Sequence, residues 1–180
     1  MTRILGGAVF AIVVFTGSAY AFDLSSPNVI EGQALNQAQV YKGFGCNGGN
    51  LSPSLIWKDS PAGVRSFAVT VFDPDAPTGS GWWHWLVYDL PASMTSLQTG
   101  LAVKTILPLS AKQGRNDFGG RNFGGACPPS GDKPHRYVFT LYALKVENLG
   151  VPDDASAALI GFMLNSNSLA KAQLTATFSR

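Results

Sequence analysis

The chain has 180 residues, with 13 Lys and Arg against 11 Asp and Glu, for a formal net charge of +2. This near balance argues against a nucleic-acid surface: Lys112, Arg115 and Arg121 are spread through a glycine-rich stretch that also holds Asp117, and no basic cluster forms. The length suits one domain with one sizeable core.

Residues 1–21, MTRILGGAVFAIVVFTGSAYA, open with a basic residue at Arg3, run apolar from Ile4 to Phe15, and end on Ala19-Tyr20-Ala21 before Phe22. This order predicts a secretory signal peptide with a small-x-small cleavage site. The apolar run falls short of the roughly 20 residues a spanning helix needs, and no later stretch approaches that length. The expectation is a periplasmic or secreted protein without a transmembrane segment, whose single domain spans 22–180. Export places Cys46 (GFGCNGGN) and Cys127 (GGACPPSG) in an oxidising compartment, where an even pair reads as one disulfide. In the chain-entropy picture a bridge closing a loop of about 80 residues stabilises by roughly 4–5 kcal/mol. Two buried free thiols are the alternative.

The following elements read as mostly β. Ser66 to Phe72 (SFAVTVF) sets Phe67, Val69 and Val71 against Ala68, Thr70 and Phe72, so both faces of a strand look buried. The Asp73-Pro74-Asp75-Ala76-Pro77 run stops it, since proline removes ladder donors and restricts its predecessor. Trp82 to Tyr88 resumes as a strand that ends at Leu90-Pro91, with His84 facing the same way as Trp82 and Leu86, opposite Trp83 and Trp85. From Leu101 to Pro134, glycines and prolines favour a surface excursion over regular structure. Arg136 to Val146 (RYVFTLYALKV) is the longest strand candidate and is expected at the centre of a sheet. Asp153 to Leu164 predicts a helix capped by Asp153 or Asp154, and Asn167 to Leu174 a further helical turn or two.

Three segments concentrate chemistry. FDPDAP (72–77) ends a buried strand with two carboxylates, residue types that turns favour for local reasons. WWHW (82–85) holds one of two histidines, which alone reads as a hydrogen-bonded core residue. CPPSGDKPHRY (127–137) brings the second, His135, to the mouth of the longest strand. Both histidines and both aspartates thus lie at strand ends beside Gly/Pro-rich loops, where sites are commonly built on rigid scaffolds.

FDPDAPTGSGWWHWLVYDLP and GGACPPSGDKPHRYVFTLYAL resemble the two signature regions of the phosphatidylethanolamine-binding protein family, in its bacterial Raf-kinase-inhibitor-like branch. GFGCNGGNLSPSLIWKDSPAGVRSFAVTVFD matches that branch too, and the resemblance runs from about Asp23 to Arg180. It implies an antiparallel Greek-key β-sandwich with short peripheral and C-terminal helices. A small anion pocket at one end would bind phosphate-bearing head groups or similar anions, and several members inhibit kinases or proteases by binding. By position, the pocket would include Asp73, Asp75, Trp82, His84, Gly125, Pro128, Pro129, His135 and Tyr137. Cys127 stands where animal members carry glycine.

Ionised Asp73 and Asp75 would repel a phosphate, so their expected role is to accept one imidazole N–H each from His84 and His135, leaving the other N–H to donate to the ligand. Glycines around Cys127 would let backbone N–H groups approach an anion. An ammonium, as in phosphoethanolamine, would be drawn to an aspartate or to the face of Trp82. The leading reading is a noncatalytic binder of a small anionic or zwitterionic ligand, with no cofactor. The alternatives are a hydrolase of phosphate or lipid esters using the His/Asp cluster and a module that inhibits a partner protein. No G-x-S-x-G elbow is present, and the spacing forms no metal motif such as H-E-x-x-H.

Overall fold

The computed structural model describes residues 21–101, 107–108 and 110–180, so the signal-peptide reading falls, apart from Ala21, outside the described residues. Short strands β1 (Asp23–Ser25), β4 (Leu55–Lys58) and β7 (Ser96–Leu97) form a three-stranded sheet in the order β1-β4-β7. The larger sheet contains β5 (Ser66–Asp73), β6 (Trp82–Pro91), β8 (Lys112–Gln113), β9 (His135–Leu144) and β10 (Ser168–Phe178), in the order β10-β9-β5-β6-β8 with every pair antiparallel. A small hairpin joins β2 (Lys42–Gly43) to β3 (Cys46–Asn47).

The expected mostly β architecture holds, and burial explains it. Leu24, Leu55, Trp57 and Leu97 from the small sheet meet Phe67, Val69, Val71, Val87, Phe139 and Leu141 from the large one in a single apolar cluster. Alternation places Ala68, Leu86, Tyr142 and Leu144 on the opposite face of the large sheet, where Ile160 and Leu164 cover them. Those two belong to helix α1 (Ala157–Asn167). Strand β5 is therefore buried on both faces, as its sequence predicts.

Three expectations are corrected. The Arg136–Val146 candidate forms β9, an interior strand, but β5 takes the middle of the sheet because β10 pairs along the outer side of β9. Residues 168–174, expected to be helical, belong to β10: the ladder with β9 runs from Ser168 opposite Leu144 to Phe178 opposite His135, and it overrides the modest helix preference of Ala, Lys and Gln. Neither Asp153 nor Asp154 caps α1, which starts later, with Ser156 Oγ accepting the Leu159 N–H at 3.2 Å.

A register shift in β6 changes the reading of WWHW. Val71 lies opposite Trp85 but Phe72 lies opposite Trp83, so His84 is the extra residue of a β-bulge. Trp83 consequently packs in the helix-covered cluster, where a Cβ added to Gly161 would come within 3.2 Å of its ring. Trp85 turns into the main core and donates its indole N–H to Gln113 Oε1 at 2.7 Å. The two tryptophans expected on one face therefore sit on opposite faces.

Cys46 and Cys127 form a disulfide, with Cα atoms 6.0 Å apart and a sequence separation of 81. It fastens the β2–β3 hairpin to the segment leading into β9. Replacing both cysteines by serine is expected to lower the unfolding free energy by about 4 kcal/mol, read as a lower denaturant midpoint with a larger m-value, because the unbridged unfolded chain exposes more surface.

Candidate ligand-binding pocket

The site begins where β5 stops. Asp73 is buried, and its Oδ1 accepts the backbone N–H groups of Asp75 (2.8 Å) and Ala76 (3.1 Å), which shapes the turn through Pro74. Its Oδ2 accepts Nδ1–H of His135 at 2.7 Å. The partners meet because β5 and β9 are paired antiparallel up to Phe72 and Val138, placing the end of one strand beside the start of the other. On the far side of the ring, His135 Nε2–H points to Asp132 Oδ2 at 3.3 Å. Burial opposes the charged ring, but the hydrogen bond and charge of Asp73, followed by those of Asp132, outweigh it and raise the His135 pKa above its ordinary value.

His84 reaches the same end of the sheet through the β6 bulge, in a different electrostatic state. Its Nδ1–H donates to the Gly124 carbonyl at 2.8 Å, while its own carbonyl accepts the Gly124 N–H at 2.9 Å. Burial pushes the His84 pKa down against the opposing pull of the Gly124 carbonyl, which favours the neutral ring. A carbonyl can only accept, which assigns the proton to Nδ1 and leaves Nε2 with a lone pair. Among the described residues Nε2 has no protein partner.

A cavity of about 210 Å³ opens between these histidines. Seven of the expected residues line it: Asp73, Trp82, His84, Pro128, Pro129, His135 and Tyr137. Asp75 and Gly125 do not. Asp75 faces Arg136, accepting from Nη2 at 2.7 Å, Nε at 2.9 Å and the backbone N–H at 2.9 Å, and the guanidinium lowers its pKa to about 2. Gly125 donates its N–H to Asn50 Oδ1 at 2.7 Å and packs on backbone, where a Cβ would lie 2.3 Å from the Gln39 carbonyl oxygen. It is glycine because another chain segment passes there, and its N–H is already used.

The roles expected of the histidines also change. Asp73 orients His135, but Asp75 orients Arg136 instead of a ring. Neither histidine offers an uncommitted N–H: His84 presents a lone pair, and both N–H groups of His135 face carboxylates.

The remaining walls were not anticipated. Phe44, Ala76, Pro77, Thr78 and Phe118 line the cavity, and Cys127 does so as well as forming the disulfide. Phe44 and Phe118 sit beside glycines in GFGC and DFGG, a pattern of glycine next to an aromatic that could have pointed to them. Among the described residues, four buried side-chain polar atoms lack a hydrogen-bond partner, and two of them, Trp82 Nε1 and Tyr137 Oη, belong to this wall. No group of three or more His, Cys, Asp or Glu side chains among the described residues is arranged to hold a metal ion.

Comparison with known proteins agrees with this fold. The family model described as phosphatidylethanolamine-binding protein matches residues 25–179. UPF0098 protein YbcL of Escherichia coli K12 is 51% identical over 180 residues, covering 99% of this chain and 98% of the relative. UPF0098 protein YbhB of the same organism is 46% identical over 157 residues, covering 87% and 99% respectively. The crystal structure of Escherichia coli YbcL, described as a new member of the mammalian PEBP family, superposes with a TM-score of 0.85 at 52% identity, covering 88% of this chain and 98% of that one. With a family match along nearly the whole described chain and a shared fold at this identity, the protein belongs to the phosphatidylethanolamine-binding protein family.

Proposed function

We propose that this protein is an exported, noncatalytic binder of small phosphate-type anions, held in the cavity between His84 and His135. The observation that carries the reading is a cavity lined by both histidines, with His135 drawn towards its charged form by a buried carboxylate that is itself engaged by two backbone N–H groups. Asp73 is engaged by two backbone N–H groups and by His135, so it presents less negative charge to a ligand than an unpaired carboxylate would. The lone pair on His84 Nε2 adds a demand: the ligand must carry a hydrogen-bond donor beside its acceptor oxygens. A hydrogen phosphate or a singly protonated phosphate monoester meets both needs, whereas sulfate lacks the proton. Export is supported by the disulfide and by a 32% identical mycobacterial relative named as a putative lipoprotein.

A hydrolase is the second reading, because neutral His84 with a free Nε2 has the form of a general base that could activate water. A covalent route has less support, since Cys127 is in the disulfide and the Thr78 hydroxyl donates to the Gly81 carbonyl. Steady turnover of p-nitrophenyl phosphate by the wild type, abolished in His84→Ala, would replace binding with hydrolysis.

Titration calorimetry near pH 6 is expected to show phosphate binding about tenfold or more tighter than sulfate, the consequence of one lost hydrogen bond and an exposed lone pair. Absence of phosphate binding, or equal binding of sulfate, removes the proposal. Tyr137→Phe separates a ligand role from a structural one: it should weaken phosphate by roughly tenfold, whereas a purely structural hydroxyl would leave affinity unchanged and lower the denaturant midpoint instead.

The charge on His135 also sets a pH dependence. Because its folded pKa lies above the ordinary value of 6.5, the stability from its pairing is fully present below that value and is lost as pH rises through the folded pKa. Anion affinity should fall over the same interval as the positive charge disappears. Denaturant midpoints measured from pH 6 to pH 9 should decline in the wild type and change less in Asp73→Asn.

A further inference from the structure

The pocket at the Asp73 end of the large sheet has a counterpart at the opposite end, where Ser66 of β5 lies between Pro91 of β6 and Leu144 of β9. Strand β6 shifts register a second time here. Phe67 lies opposite Leu90 but Val69 lies opposite Val87, so Tyr88 and Asp89 together face Ala68. Tyr88 stays in the helix-covered cluster and Leu90 in the main core, which leaves Asp89 as the extra residue, with φ of 58°. Bulges re-aim side chains, and here, as at His84, the residue re-aimed is buried, polar and set against a cavity. That cavity has a volume of about 310 Å³, and its lining includes Arg65, Ser66, Asp89, Glu147 and Asn148.

Asp89 is only 4% exposed. Its Oδ1 accepts the Leu149 N–H at 2.8 Å, which is the one hydrogen bond of this carboxylate among the described residues. No lysine, arginine or histidine among the described residues forms an ion pair with it. Asp73, equally buried, collects three donors. Burial raises the Asp89 pKa above its ordinary value, against the pull of the Leu149 N–H and of Lys112, whose ammonium is engaged by Asp153. A buried carboxylate with a single donor is costly, and a cation that donates to its other oxygen removes that cost.

The rest of the lining narrows the choice of cation. Ser66 Oγ gives its proton to the Val146 carbonyl at 2.6 Å, so it presents only lone pairs to a ligand. Arg65 and Glu147 pair at 2.7 Å and offset each other, leaving Asp89 as the uncompensated charge. Acceptors around a single negative charge suit a monocation with several N–H donors. A metal ion fits poorly, because no group of three or more His, Cys, Asp or Glu side chains among the described residues is arranged to hold one. A quaternary ammonium fits poorly too: it has no N–H, and none of the described side chains lining this cavity is aromatic.

We infer that this cavity is a second ligand site, at the other end of the sheet from the histidines, and that it takes a primary ammonium with Asp89 as its counter-charge and Ser66 Oγ as a further acceptor. n-Butylammonium and tetramethylammonium are isomeric cations, one with N–H donors and one with none. Titrating each into isotope-labelled protein at constant ionic strength, with amide chemical shifts as the readout, separates donation from charge. n-Butylammonium is expected to give a saturable shift of the Leu149 amide at roughly millimolar affinity, and tetramethylammonium to bind about tenfold or more weakly. Asp89→Asn keeps the size, an acceptor for the Leu149 N–H and the tolerance of positive φ while removing the charge, and it should weaken n-butylammonium by about tenfold or more. Nα-acetyl-lysine amide carries the same head: tighter binding than n-butylammonium assigns the site to a lysine side chain, and weaker binding to a free amine. The inference is overturned if n-butylammonium gives no saturable shift up to about 100 mM, if tetramethylammonium matches it, or if Asp89→Asn binds within about threefold of the wild type. The first two outcomes are read on the wild type and decide the matter even where the variant does not fold.

Discussion

The Asp73 carboxylate is the constraint around which one end of this protein is organised. One of its oxygens terminates β5 by accepting two backbone N–H groups, and the other holds the imidazole that opens β9. A single buried charge thereby turns the chain out of the sheet, pins the adjacent strand and is itself offset. An unpaired carboxylate at this depth would be pushed towards its neutral form, and an apolar residue could not shape the turn. The position is polar because geometry and charge compensation are solved together.

The β6 bulge has a comparable role on the other side of the cavity. One extra residue at His84 sends Trp83 into the helix-covered layer and Trp85 into the main core, while the histidine stays over the cavity. The bonds to Gly124 then select a neutral tautomer. The two histidines thus have opposite characters: carboxylates raise the pKa of His135, favouring its charged form, and burial lowers that of His84, favouring its neutral form. The rim, drawn together by the disulfide and by Arg180, is apolar and aromatic.

Much of this was legible in the sequence. Alternating apolar residues over 66–72 announced a strand buried on both faces, Asp-Pro-Asp announced its end, and two cysteines in a chain expected to be exported announced a bridge. The signature segments located seven of the residues that line the cavity. The helix after Ser156 was legible in type but not in its start, because Ser and Asp compete for the cap and only the backbone path shows which side chain reaches an N–H. Residues 168–174 were misread because local preference favoured a helix while β9 offered a ladder from a distance.

The sequence by itself determined which residues alternate, where proline forbids a ladder, and which side chains are capable of acid–base and anion chemistry, since these are properties of a residue and its near neighbours. Only the tertiary structure decided how they were used. It sent Asp75 to Arg136, filled the space beside Gly125 with the Gln39–Tyr41 backbone, made His84 an acceptor and brought Phe44 over the mouth. Each of those outcomes depends on groups tens of residues apart meeting within a few ångströms. Hydrogen-bond partner, burial and charge are relations set by that meeting, and no local pattern contains them.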